Sequence, residues 1–182
     1  MRILVLFVVL FVMFSCDSQS QQSSDKNAIE KLDAIKDKEE EINTLSKDLR
    51  PGQKVPTEMS DDLIDLLINF YQSYPENSSA PVCLDKLHMV YSAKRQYQKS
   101  ANYGDTLLNN YPIYINRPMI LESMAITYDI FILPRDTTKV RYYNELLLKE
   151  DKEMSQEKRE EILFKLDNLN LSLDEMILKI NK

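Results

Sequence analysis

A spacing of 37 residues recurs through the middle of this chain. The dipeptide Tyr74-Pro75 returns as Tyr111-Pro112, and several of the residues that follow it return at the same step. The matched pairs are Pro81 with Pro118, Leu84 with Leu121, Leu87 with Met124, and Tyr91 with Tyr128. The candidate N-cap residues Ser79, Asn116 and Ser155 are spaced by 37 and 39 residues. A fixed period in this range predicts stacked helical units, because one helix pair cannot bury its apolar face alone.

The apolar residues of the chain recur three and four positions apart, which is the period of an amphipathic helix. The clearest stripe contains Leu63, Leu67, Phe70 and Tyr74, and the next contains Cys83, Leu84, Leu87 and Tyr91. Further helices are predicted over about 97–111, after 116, over about 139–150 and after 155, and a last helix starts at the capping box Ser172–Glu175. The only glycines are Gly52 and Gly104, so the Asn-Gly and Asp-Gly turns of β-hairpins are absent. The predicted fold class is all-α, a short α-solenoid of helical hairpins.

The first 15 residues predict a secretory signal peptide. Arg2 precedes an apolar run of 12 residues, Ile3 to Phe14, whereas a membrane-spanning helix needs about 20. Met13-Phe14-Ser15-Cys16 resembles a bacterial lipobox, although Phe14 stands where a small residue is usual. This resemblance implies cleavage after residue 15, lipid attachment at Cys16, and a place on the outer membrane facing the periplasm or the cell surface. The alternative is an ordinary signal peptide followed by an incidental cysteine.

The mature chain is predicted to have four parts. Residues 16–27 lack apolar side chains after Cys16, which favours a flexible tether. Residues 28–50 form a polar helix with a thin apolar line, residues 51–59 form a linker, and residues 60–182 form the helical-repeat domain. The apolar line of the polar helix consists of Ile35, Ile42, Leu45 and Leu49.

The predicted helices over about residues 58–180 resemble degenerate tetratricopeptide repeats. Leu84, Leu87 and Tyr91 fit the first helix of that repeat, Ser100 fits its small position and Pro112 its closing proline, and Leu121, Met124, Ala125 and Tyr128 fit the next unit. His88 and Gly104 depart from the pattern, which has a small and a bulky residue at these places. With the lipobox, the chain looks like the tetratricopeptide-repeat envelope lipoproteins of the Bacteroidota type, a resemblance that implies architecture more than a task.

Composition and charge exclude several classes of function. The net charge is −6, or −7 without Arg2, which argues against a nucleic-acid-binding protein. No block of Lys or Arg marks a patch for anionic lipid. His88 is the only histidine and Cys83 the only cysteine besides Cys16, so both are read as core residues. We therefore predict no catalytic, metal or cofactor site.

Two functions remain open on the sequence. The first is a membrane-anchored protein-interaction adaptor or scaffold, whose partner is another envelope protein. The alternative is an envelope binder of glycan or peptidoglycan-type ligands in a tyrosine-lined groove. Tyr103, Tyr142 and Tyr143 stand outside the repeat positions, so we predict that they form the partner surface. The competing reading for the last two is that one of these adjacent residues packs inward.

Overall fold

The computed structural model describes residues 17–50 and 52–180. All regular structure in these ranges is helical, without a strand, which confirms the all-α prediction. No helix within these ranges has the length and apolarity to cross a membrane. The predicted signal peptide over 1–15 and the predicted lipid-attachment residue Cys16 lie outside the described residues.

Two compact units divide the chain, one ending at Ala80 and the other beginning at Pro81. In the first unit, α1 (Asp17–Asp48) packs on α2 (Thr57–Ser73). The helix predicted at the start of the repeat domain therefore groups with the polar helix. The apolar residues that this unit buries are Ala28, Ile35, Leu63, Ile64, Leu67 and Phe70.

Helix α1 begins earlier than the polar helix predicted over 28–50. The segment 16–27, predicted as a flexible tether, is helical from Asp17 onward. No glycine or proline occurs between Asp17 and Asp48, so a helix started at the packed part can add residues toward the N-terminus, one hydrogen bond at a time. Polar contacts across the hairpin hold the packed part: Lys31 donates to Asn69 and Ser73, and Lys38 lies 3.3 Å from Asp62.

The second unit consists of helices joined by short connections. Its helix α5 passes directly into a π-helical turn, and the following helix packs closely along both. Every helix that the sequence predicted in this unit is present, with ends that differ by a few residues. The bounds are α3 (Ala80–Ala93), α4 (Tyr97–Asn110), α5 (Arg117–Ile126), the π-helical turn (Thr127–Phe131), α6 (Thr137–Glu150), α7 (Gln156–Asp167) and α8 (Leu173–Ile180).

Three of the repeated pairs lie in the core of this unit: Leu84 with Leu121, Leu87 with Met124, and Tyr91 with Tyr128. The repeated prolines and the pair Tyr74 and Tyr111 are not buried. Leu84, Leu87, Leu121 and Met124 are fully buried, and Tyr91 and Tyr128 are nearly so. Residues separated by 37 positions in these pairs are therefore buried to the same extent.

Local capping explains where several helices begin. Asp136 accepts hydrogen bonds from the amides of Thr138 and Lys139, so it caps α6. Ser155 caps α7 in the same way through the amide of Lys158. The predicted capping box before α8 is confirmed. Its Ser172 and Glu175 exchange hydrogen bonds between side chain and backbone amide, at 2.7 and 3.3 Å.

His88 is a satisfied core residue. Its Nδ1 lies 2.9 Å from the hydroxyl of Ser100, its Nε2 lies 2.7 Å from the hydroxyl of Ser123, and its side chain is buried. A Cβ added at Gly104 would meet this imidazole at 3.2 Å and would overlap the sulfur of Met124. The two departures from the repeat pattern thus compensate each other, since the absent side chain of Gly104 leaves room for the large His88.

Candidate partner-binding surface

The connection between α4 and α5 exposes two large aliphatic side chains. We call residues 111–116 the isoleucine loop. Ile113 is 97% exposed and Ile115 is 86% exposed, so water covers almost the whole of both side chains. Scattered apolar residues are ordinary on protein surfaces, but a close pair held at a fixed place is typical of an interaction site.

Hydrogen bonds hold the isoleucine loop in one conformation. The amide of Tyr114 bonds to the carbonyl of Tyr111, and the amide of Arg117 bonds to the carbonyl of Tyr114. The Tyr114 hydroxyl donates to Asp85 of α3 at 2.8 Å. Burial and this contact with a carboxylate raise the pKa of Tyr114 to about 12, so the phenol stays a donor at physiological pH.

Arg117 fixes the other end of the loop at the start of α5. Its Nη1 donates to the carbonyl of Leu108 at 2.6 Å, and its Nε donates to Glu150 at 2.6 Å. The guanidinium is mostly buried, so this ion pair is less screened by water than an ordinary surface pair. The loop therefore cannot readily turn its isoleucines inward, and it presents them in a preorganised form.

Other exposed apolar side chains lie on the two helices α5 and α3. Met119, one turn into α5, is 68% exposed. On α3, Val82 and Met89 are 39% and 62% exposed, and their spacing of seven residues places them on one face. Val82 and Met119 are separated by the 37-residue step, so the same surface position recurs. Methionine is frequent at adaptable binding surfaces because its side chain is flexible and polarisable.

The three tyrosines predicted as a partner surface have different environments. Tyr142 is 51% exposed and keeps a place on the surface. Tyr103 is half-buried, and its ring stacks on Tyr91 with centroids 5.4 Å apart. Tyr143 is buried, so its assignment to the surface is wrong. The sequence could not decide between the adjacent residues on α6, because one must face the core and both are tyrosine.

Tyr143 belongs instead to a polar cluster built around Asp105 of α4. The hydroxyls of Tyr143 and Tyr128 donate to the two oxygens of this carboxylate, and the ammonium of Lys139 lies 3.6 Å from it. Lys139 also lies over both tyrosine rings, 5.5 and 5.6 Å from their centroids. Burial and the nearby Asp105 raise the pKa of Tyr128 to about 12, and they raise that of Tyr143 still further. The cluster is a structural junction between helices.

No family model, curated protein or solved structure matches this chain. The candidate site is therefore defined by the geometry of the surface. In the part of the chain that the structure describes, no three His, Cys, Asp or Glu side chains converge as a metal site would require. Cys83 is buried among the apolar residues of α3, as predicted.

Ile113 and Ile115 were not predicted as surface residues from the sequence. The segment Pro112-Ile113-Tyr114-Ile115-Asn116 lies between two helices, where polar residues are usual, and this is the signal that could have revealed them. An alternating apolar pattern in a turn is ambiguous, since alternate residues could equally pack inward. Here Tyr114 faces α3 and its two neighbours face solvent.

Proposed function

We propose that this protein is a lipid-anchored adaptor of the bacterial cell envelope, with tetratricopeptide-like hairpins that present a binding surface to another envelope protein. The observation that carries the proposal is the near-complete exposure of Ile113 and Ile115 on a loop fixed by hydrogen bonds. Exposing such a pair to water is unfavourable. Covering it with a partner would contribute about 1.5–3 kcal/mol of binding free energy for each side chain. Catalysis forms no part of the proposal.

The tetratricopeptide-like architecture is supported by the regular alternation of helices in the second unit. The first helices of successive hairpins begin at Ala80, Arg117 and Gln156, close to the step read from the sequence. The compensating pair His88 and Gly104 accounts for the strongest departure from the repeat pattern. Arrays of this type bind partners on extended surfaces formed by equivalent positions of successive units.

Replacing both loop isoleucines is expected to weaken partner binding by at least about tenfold, since each 1.4 kcal/mol corresponds to a factor of ten. The variant is Ile113→Asp with Ile115→Asp. A photo-crosslinking amino acid at Met119 in living cells would report the partner as a discrete adduct. Both isoleucines are solvated, so the melting temperature of the double variant should match that of the wild type.

The control is Leu178→Asp, which places one of the two added negative charges on an exposed leucine of α8. It should leave the adduct unchanged. An adduct of equal yield in the double variant and the control would remove the isoleucine loop from the partner surface. Loss of the adduct in both variants would show that added charge, and not the site, determines capture.

The lipid anchor is tested at Cys16. Cys16→Ser should abolish incorporation of a fatty-acid analogue during metabolic labelling, because the thiol is the atom that accepts the diacylglyceryl group. The buried Cys83 provides a control, and Cys83→Ser should retain full label. Continued labelling of the Cys16→Ser chain would contradict the anchor and leave the partner surface to be judged separately.

Binding of glycan or peptidoglycan fragments is the weaker candidate. Of the three predicted tyrosines, only Tyr142 has a largely exposed ring, and Tyr143 offers no face to a sugar. A thermal-shift series with such fragments separates the two functions, since a ligand that binds only the folded state must raise the melting temperature.

A further inference from the structure

The end of the π-helical turn and the connection after it place a second group of apolar side chains in solvent. We call residues 130–134 the docking loop. Ile130 and Phe131 are 45% and 43% exposed, and Leu133 is 81% exposed. The segment reads Ile-Phe-Ile-Leu-Pro, so it contains no polar side chain that could explain the exposure.

Two cations lie beside the docking loop although they are distant in sequence. Arg95, in the turn between α3 and α4, and Lys99, in the first turn of α4, line one shallow, open depression together with Phe131 and Leu133. The ring of Tyr97 stacks on Phe131 with centroids 4.5 Å apart, which holds the two segments together.

No acidic side chain lines this depression, in a chain whose net charge is −6. Neither Arg95 nor Lys99 forms an ion pair with any of the described residues, and Lys99 lies over the ring of Tyr91 at 5.3 Å. The sequence contains no block of basic residues, so the grouping of these cations around apolar side chains arises only in the folded chain.

Arg95 occupies a backbone position that favours glycine. Its φ of 58° lies in the left-handed region. The amide of Gln96 bonds to the carbonyl of Tyr91, and the amide of Arg95 bonds to that of Ser92, which is the usual ending of a helix at a left-handed residue. Glycine would adopt this conformation without the steric cost that arginine bears. Arginine therefore bears a local steric cost here, and its side chain lines the depression.

We infer that the docking loop and its two cations form a lipid-docking surface. Phe131 and Leu133 would enter the outer part of a bilayer, and Arg95 and Lys99 would contact anionic headgroups. A shallow site whose apolar side chains project outward suits insertion into a lipid layer better than enclosure of a small ligand. Basic residues beside inserted apolar ones are the general pattern of such contacts.

This surface fits the proposed adaptor but does not depend on the anchor at Cys16. The isoleucine loop precedes α5, and the docking loop includes the last two residues of the π-helical turn, so the two loops lie at opposite ends of one helical segment. At about 1.5 Å per residue that segment is roughly 20 Å long. A docking loop held at the bilayer would therefore direct the isoleucine loop away from it.

The test uses the absence of tryptophan from the chain. Full-length Leu133→Trp is reconstituted in phosphatidylethanolamine–phosphatidylglycerol vesicles whose acyl chains carry bromine, which quenches nearby indole. The control chain, Ile113→Trp, carries its indole in the isoleucine loop. We expect most of the emission of Leu133→Trp to be lost and that of Ile113→Trp to be retained. Equal emission from both chains, quenched or unquenched, would overturn the inference.

The contribution of the cations is tested in the Leu133→Trp chain. Arg95→Gly with Lys99→Gln should abolish most of the difference in quenching between phosphatidylglycerol and phosphatidylcholine vesicles. Glycine suits the left-handed position, so the helical circular-dichroism spectrum should be unchanged. Quenching that is the same with both lipids, or unaffected by the two substitutions, would overturn the role of the cations. If the chain with Cys16 intact takes up no acyl label but the Leu133→Trp indole is still quenched, the anchor alone is contradicted.

Discussion

Tyr143→Ala is expected to lower the free energy of unfolding by about 3–5 kcal/mol, the usual cost of removing a large buried aromatic side chain. The ring is 1% exposed, stacks on Tyr128 with centroids 5.7 Å apart, and carries a hydroxyl that donates to Asp105. Alanine would leave a cavity and would remove one donor from a partly buried carboxylate. Chemical denaturation followed by circular dichroism measures the loss.

Tyr142→Ala is the matched control, because it removes the same side chain from the next position. Half of Tyr142 is in water and its ring meets only the edge of Tyr143 among the ring contacts of the described residues, so a loss of about 1 kcal/mol or less is expected. Tyr143→Phe keeps the ring and removes the hydrogen bond to a charged group, which costs about 1.5–3 kcal/mol. Equal losses in the two alanine variants would mean that the inward and outward assignments are not distinct.

The same cluster predicts sensitivity to alkaline pH. Folding raises the pKa of Tyr143 and of Tyr128 above the ordinary phenol value of 10.0, and that of Tyr128 reaches about 12. A raised pKa means that the folded state favours the neutral phenol, so its contribution to stability is complete below pH 10 and is lost as pH rises above it. Tyr143→Phe should therefore show a shallower decline above pH 10 than the wild type.

The helical fold could be predicted because its signals are local. The three- and four-residue period, the scarcity of glycine and the capping box at Ser172 each depend on neighbours along the chain, and each predicts a helix that the structure contains. The 37-residue step also placed Leu87 and Met124 correctly in the core. The helical part of the predicted tether was missed, because helix growth beyond a packed segment needs no apolar pattern of its own.

The surface was harder to predict because it depends on contacts between distant residues. Nothing local to Tyr142 and Tyr143 tells which ring stacks on Tyr128, and nothing local to His88 shows that Gly104 makes room for it. Ile113 is exposed next to Tyr114, whose hydroxyl is held by Asp85, 29 residues earlier in the chain. Arg95 and Phe131 are brought together by the stacking of Tyr97, a contact that no sequence period encodes.

A buried cluster of charged residues was also not predicted from the sequence. It is the basis of the prediction for Arg135→Ala. Asp129 lies in the π-helical turn with its carboxylate almost fully buried. Arg135 Nε lies 2.6 Å from one of its oxygens, and Lys165 of α7 lies 3.0 Å from the other. Arg135 also donates to the carbonyls of Leu169 and Leu171 at 3.0 and 2.7 Å. One side chain thus joins the turn after α5 to the end of α7.

Arg135→Ala is expected to cost about 3–5 kcal/mol, because removing one partner of a buried ion pair leaves the other charge poorly compensated. The two carbonyls after α7 would also lose their donor. Arg141→Ala removes the same type of side chain from a largely exposed pair with Glu145 and should cost no more than about 0.5 kcal/mol. Arg135→Lys should fall between them, since an ammonium keeps the charge but cannot reach the carboxylate and both carbonyls in the same fork. Urea denaturation of the three variants checks the order. A cost for Arg135→Ala no greater than that for Arg141→Ala would show that Lys165 alone compensates Asp129 and that the junction at Arg135 adds no stability.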